Sequence, residues 1–189
     1  MVNPGTFHVV ATELTVGSFA LAGLSFMLTC LATLNIKPFN HYITSLDAIA
    51  HFTLAFGLIT TPFSIVTGIM AAPGTGLDHP MLMNKMLISS FAAGCAIGVL
   101  LHRKSAGPNL WDSTSNGLLH SNMGMASTGF ILVTASIGGT FARGESLLDF
   151  LHLPYREVPV FPLWLSILVI IVATTTIVLN TQRTNEGTS

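Results

Sequence analysis

The chain has 189 residues, 50% of them hydrophobic and only 8% charged, with a formal net charge of -1 and a mean hydropathy of +0.68. So little charge cannot build a water-facing shell, and the composition points to an integral membrane protein with the lipid bilayer as its first partner. The few basic residues are scattered, which excludes a nucleic-acid partner.

Apolar stretches near residues 8–34, 46–71, 79–102, 117–141 and 160–180 are each long enough to cross a hydrocarbon layer of about 30 Å at about 1.5 Å per helical residue. The first lacks a basic leading region and a small-residue cleavage site, so it is expected to be a span and not a removable signal. The expected fold is all-α: a four-helix transmembrane core of two hairpins over residues 1–145, an interfacial connection at 146–159, and a fifth transmembrane helix with its tail at 160–189. Lys37, Arg103, Lys104 and Arg183 would share one side of the membrane. That bias predicts a prokaryotic cytoplasmic membrane protein with its amino terminus outside and its carboxyl terminus inside.

Span one opens with His8 and carries Glu13 five residues further on. The connection "NIKPFNHY" leads to span two, which holds His51, Gly57 and a central Pro62 expected to bend it. After the loop "AAPGTGLDHP", span three begins at His79 and continues through Met83, Lys85 and Met86 to "GCAIG", where Gly94 and Gly98 fit a close helix–helix approach. Span four carries His120, Gly124 and Gly138. The connection that follows sets Leu147, Leu148, Phe150 and Leu151 beside Glu145 and Asp149, the pattern of a short amphipathic segment lying in the interface. Cys30 and Cys95 sit in apolar spans as small hydrophobes, and no disulfide framework follows from them.

The histidines carry the chemical reading. Successive spans cross in opposite directions, so His51 and His120 belong near one face, and His8 and His79 near the other. The interval from His8 to His51 is 43 residues and from His79 to His120 is 41, as if one hairpin repeated the other about a two-fold axis. Imidazole pairs on facing bundle helices can supply both axial ligands of a b-type haem. His51 and His120 are the expected pair, His8 and His79 would hold a second haem, and Gly57 and Gly124 leave room for a porphyrin face. The alternative is that the imidazoles bond loop carbonyls or headgroups without any cofactor.

Glu13 and Lys85 fall at similar depth and are expected to form an ion pair, or Glu13 to carry protons to or from a quinone or metal. His79, Met83 and Met86 share a helical face at intervals of four and three residues, a donor set that suits Cu(I), although methionine is also an ordinary membrane-core filler.

The stretch "GFILVTASIGGTFARGESL", residues 129–147, with Gly138, Gly139 and Gly144, resembles the last core helix of a prokaryotic membrane domain family of unknown function. Span three, from "HPMLMNKM" to "LLHRK", is similar to the same family, whereas His8 is followed by Val9 where the family has histidine-proline. Some relatives are fused to Rieske iron-sulfur modules, so the resemblance implies a place in membrane electron transfer.

Two functional expectations follow. One is a b-type haem electron-transfer subunit of a larger respiratory or oxidase complex, exchanging electrons with a quinone pool or with a Rieske or copper protein. The other is a cofactor-free or copper-associated accessory subunit that stabilises a membrane metalloenzyme among other membrane subunits. Soluble catalysis is excluded by the lack of a phosphate loop, a cysteine metal pair or a nucleophile with partners.

Overall fold

The computed structural model describes residues 3–72, 79–146 and 148–151. Four long helices fill almost all of this: α1 (Pro4–Thr33), α2 (Ile43–Ala71), α3 (Pro80–Ala106) and α4 (Thr114–Arg143). All four are long and apolar enough to cross a membrane, and no strand occurs among the described residues. The fifth helix expected at 160–180 lies outside the described residues.

Each helix begins or ends further out than its apolar stretch, and side-chain caps set the start of α1 and of α4. Asn3 accepts the Gly5 N–H at 2.9 Å and Pro4 occupies the first helical position of α1. Ser113 starts α4 by accepting the Asn116 N–H. Gly107, at φ +60°, ends α3, and Gly144, at φ +79°, ends α4. Pro62 lies inside α2, which nevertheless runs unbroken from Ile43 to Ala71. In the turn before Pro62 the hydroxyls of Thr60 and Thr61 both donate to the Gly57 carbonyl, next to the Leu58 carbonyl that the proline leaves without its helical donor.

The two expected hairpins are present, α1 with α2 and α3 with α4, and they join along α1 and α4. A true two-fold would make α2 and α3 meet as extensively as α1 and α4. They touch far less, so the packing does not follow the sequence repeat.

The core is built from Phe19, Ala22 and Phe26 of α1, Ala50 and Leu54 of α2, Ala92, Ala96 and Val99 of α3, and Ile131 of α4. Close approach depends on glycines under large neighbours: Gly57 lies against Phe19, Gly124 against Phe26, and Gly23 against Thr128. Two hydroxyls of α4 then reach neighbouring backbones, Thr128 donating to the Phe19 carbonyl of α1 and Ser127 to the Ala92 carbonyl of α3, both at 2.8 Å. Gly94 and Gly98, expected at a packed interface, instead face open space, with no atom within 4 Å of where a side chain would begin. The outer surface is apolar, with Phe52 73% and Ile59 64% exposed, as a lipid-facing surface requires.

The glycines of residues 138–144 have separate steric reasons. Gly138 makes room for the Lys85 side chain, and Gly139 for the segment returning after α4, whose Glu145 carbonyl lies over it. Ser136 fastens that return, donating to Ser146 at 3.1 Å and accepting the Leu148 N–H. A short 3-10 turn, Asp149–Leu151, follows; the rest of the expected interfacial connection lies outside the described residues.

Candidate functional site

At the end where α2 and α4 begin and α3 finishes, five polar side chains form one hydrogen-bonded chain. Arg103, in the last turn of α3, donates to both carboxylate oxygens of Asp47 on α2, with an Nη2–Oδ2 distance of 2.6 Å. Asp47 is one turn before His51, and the His51 Nδ1 lies 2.7 Å from the Asp47 backbone carbonyl and 3.0 Å from its carboxylate. His51 Nε2 then faces His120 Nε2 at 2.8 Å, across from α2 to α4. His120 Nδ1 in turn meets His102 Nδ1 of α3 at 3.0 Å.

Donor and acceptor roles follow from the ends of this chain. Both groups at His51 Nδ1 are oxygen acceptors, so that nitrogen carries the proton, and in neutral His51 the Nε2 accepts. His120 must therefore donate from Nε2, which makes its Nδ1 an acceptor for the His102 Nδ1–H. Every imidazole donates in one direction, from His102 through His120 and His51 to Asp47.

The rings are tightly held. His120 is only 1% exposed. Phe26 of α1 sets its ring edge-on to both His51 and His120, with centroids 5.3 and 5.8 Å away. Trp111, from the connection between α3 and α4, packs edge-on to His120 at 5.7 Å. Ser121 Oγ and Trp111 Nε1 are buried beside this cluster without a hydrogen-bond partner among the described residues.

His51 and His120, the expected pair, are brought together with their Nε2 atoms 2.8 Å apart, and Phe19 and Phe26 pack against Gly57 and Gly124. Two metal–imidazole bonds of about 2 Å each would need these nitrogens roughly 4 Å apart, so a shared iron would require the rings to part.

Three members of the chain escape a reading based on histidine spacing. His102 looks like a boundary residue, yet it is the third imidazole. Asp47 and Arg103 complete the chain. Their signal is a carboxylate one turn before a histidine at a span edge, with a basic residue at the same expected depth on another span. His41 sits in the short 3-10 turn Phe39–Tyr42, against the Tyr42 ring.

At the opposite end, a cavity of about 450 Å³ lies among all four helices. His8 lines it, packed over Gly68, with its Nδ1 3.1 Å from Thr67 Oγ1. His79 does not line it; its ring packs on Phe141, and its buried Nδ1 has no partner among the described residues. No hydrogen bond or ring contact joins His8 to His79 among the described residues.

Lys85 lines the cavity beside Gly138, while Glu13 is exposed on the outside of α1. The expected ion pair between them is absent among the described residues, because similar depth places them on differently facing sides. Met86 lines the cavity but His79 and Met83 do not, and both thioether side chains are well exposed, so the three potential copper ligands do not converge there. Among the described residues no three His, Cys, Asp or Glu side chains gather to hold a metal ion.

Comparison with family models, curated proteins and solved structures finds no match for this chain.

Proposed function

We propose that the chain is an accessory membrane subunit of a larger electron-transfer complex, contributing its helical core and its hydrogen-bonded imidazole chain and no haem of its own. The observation that carries this reading is the direct contact between His51 Nε2 and His120 Nε2. It leaves each imidazole satisfied by its neighbours, and joins α2 to α4 as Asp47 and Arg103 join α2 to α3. Placing the complex in electron transfer rests on the resemblance of residues 129–147 to a prokaryotic membrane domain family, some of whose relatives are fused to Rieske modules. Gentle isolation from native membranes tests the proposal: the chain should co-purify with redox subunits while, separated from them, it is intact and colourless. Isolation as a solitary protein would overturn it.

A second reading, a b-type haem electron-transfer subunit, is favoured by one specific observation: His51 and His120 aim their Nε2 atoms at each other, with Asp47 orienting His51 through Nδ1. It requires the rings to part and Phe26 to move. A reduced-minus-oxidised spectrum separates the two readings, since an alpha band abolished by His51→Ala and by His120→Ala would establish the haem.

A further inference from the structure

The cavity at the other end of the bundle has the makings of a ligand site that the imidazole chain does not use. Its volume, about 450 Å³, falls in the range of small-molecule pockets, and such pockets combine apolar walls with a few placed polar groups. Here Val16, Ile65, Leu82, Ile131 and Phe141 supply apolar wall. Polar groups come from all four helices: His8 and Thr12 from α1, Ser64 from α2, Lys85 from α3 and Thr134 from α4.

Access is sideways. The cavity lies where α2 and α3 make little contact, and Ile65, Ile69 and Met86, which line it, are 41%, 57% and 40% exposed on the flank of the bundle. In a membrane that flank meets lipid, so the ligand must be soluble in the bilayer.

The polar groups then narrow its head. Lys85 makes no hydrogen bond or ion pair among the described residues, and its Nζ lies against Gly138 in the cavity wall. An amino group held within an apolar cavity gains most from an oxygen acceptor. His8 offers the complementary capacity. Thr67 spends its hydroxyl proton on the Phe63 carbonyl at 2.7 Å, so Thr67 Oγ1 accepts from His8 Nδ1–H. Neutral His8 is left with Nε2 as an acceptor for an incoming O–H.

We propose that this cavity binds a membrane-soluble quinone or hydroquinone, with Lys85 donating to a ring oxygen and His8 able to accept from a hydroxyl. Thr12 and Ser64 bond each other and Thr134 donates to the Phe130 carbonyl, which leaves Lys85 and His8 on separate helices, an arrangement that suits oxygens placed around a ring better than a single carboxylate head, which would draw its donors together. The site stands independently of the role given to His51 and His120.

The test uses the full chain in lipid nanodiscs with a photoreactive short-chain quinone and, in parallel, a photoreactive fatty acid, the crosslinks being mapped by mass spectrometry. The expected result is quinone labelling of α2 and α3 around Ile65, Ile69 and Met86, reduced at least tenfold in Lys85→Met and competed by an unlabelled quinone. The melting temperature should rise with quinone in the wild type and not in Lys85→Met, which removes an unpartnered amine and leaves the fold intact. Labelling by the fatty acid alone, labelling indifferent to Lys85→Met, or no labelling at this cavity would each overturn the proposal.

Discussion

Arg103 grips both carboxylate oxygens of Asp47 and so fastens α3 to α2, which touch each other little elsewhere. Asp47 is 7% exposed. Removing only its cationic partner therefore strands a largely buried carboxylate, which is more damaging than removing both charges. Arg103→Leu should destabilise the chain by about 2–4 kcal/mol, discounted from a fully buried pair because Arg103 is partly open to solvent. The double variant Asp47→Leu/Arg103→Leu should recover much of that loss. Unfolding midpoints in detergent read both outcomes, and equal losses in single and double variants would contradict the clamp.

The directed chain of imidazoles predicts tautomers. At a pH where all three are neutral, nitrogen chemical shifts in histidine-labelled protein should show the proton on Nδ1 of His51, on Nε2 of His120 and on Nδ1 of His102. His120→Phe keeps roughly the ring volume but leaves His51 Nε2 and His102 Nδ1 without the bonds they make to His120. That should lower stability by about 1–3 kcal/mol. A different tautomer at His51 would break the derivation at its first step.

Only part of this was legible beforehand. The four long helices follow from apolar length, and opposite crossing directions correctly bring His51 and His120 to one end. Which side of a helix faces inward was not readable, because all faces of these spans are apolar and amphipathic periodicity is lost in a bilayer. That is why Glu13 and Lys85, matched in depth, point apart, and why His8 meets Thr67 and not His79. His102 was hidden by its place at a span edge, although Asp47, a charge just inside an apolar run, already demanded a partner, and Arg103, just past the end of another, was at the depth to supply it.

Glycine positions separate interior from exterior in the same way. A methyl group at Gly124 would collide with the Phe26 ring, whereas one at Gly98 would meet nothing within 4 Å. Gly124→Ala should therefore cost about 1–3 kcal/mol through overpacking and disturb the His51–His120 contact that Phe26 borders. Gly98→Ala should leave the isolated chain unaltered. Thermal unfolding of the two variants side by side decides this.

Hydroxyl bonds to backbone carbonyls should matter less than these steric effects. Thr128→Val removes the bond to the Phe19 carbonyl while keeping the side-chain shape, and hydrogen bonds between membrane helices average about 0.6 kcal/mol, with a maximum of about 1.7. A loss within that range is expected for Thr128→Val, and similarly for Ser127→Ala, measured by steric-trapping or denaturant unfolding.

The guanidinium clasp joins α2 and α3 at the histidine end, where side chains alone connect them, whereas at the cavity end the polypeptide itself runs on from Ala72 to His79. A single substitution at Arg103 or Asp47 can therefore undo the first junction, and none can undo the second.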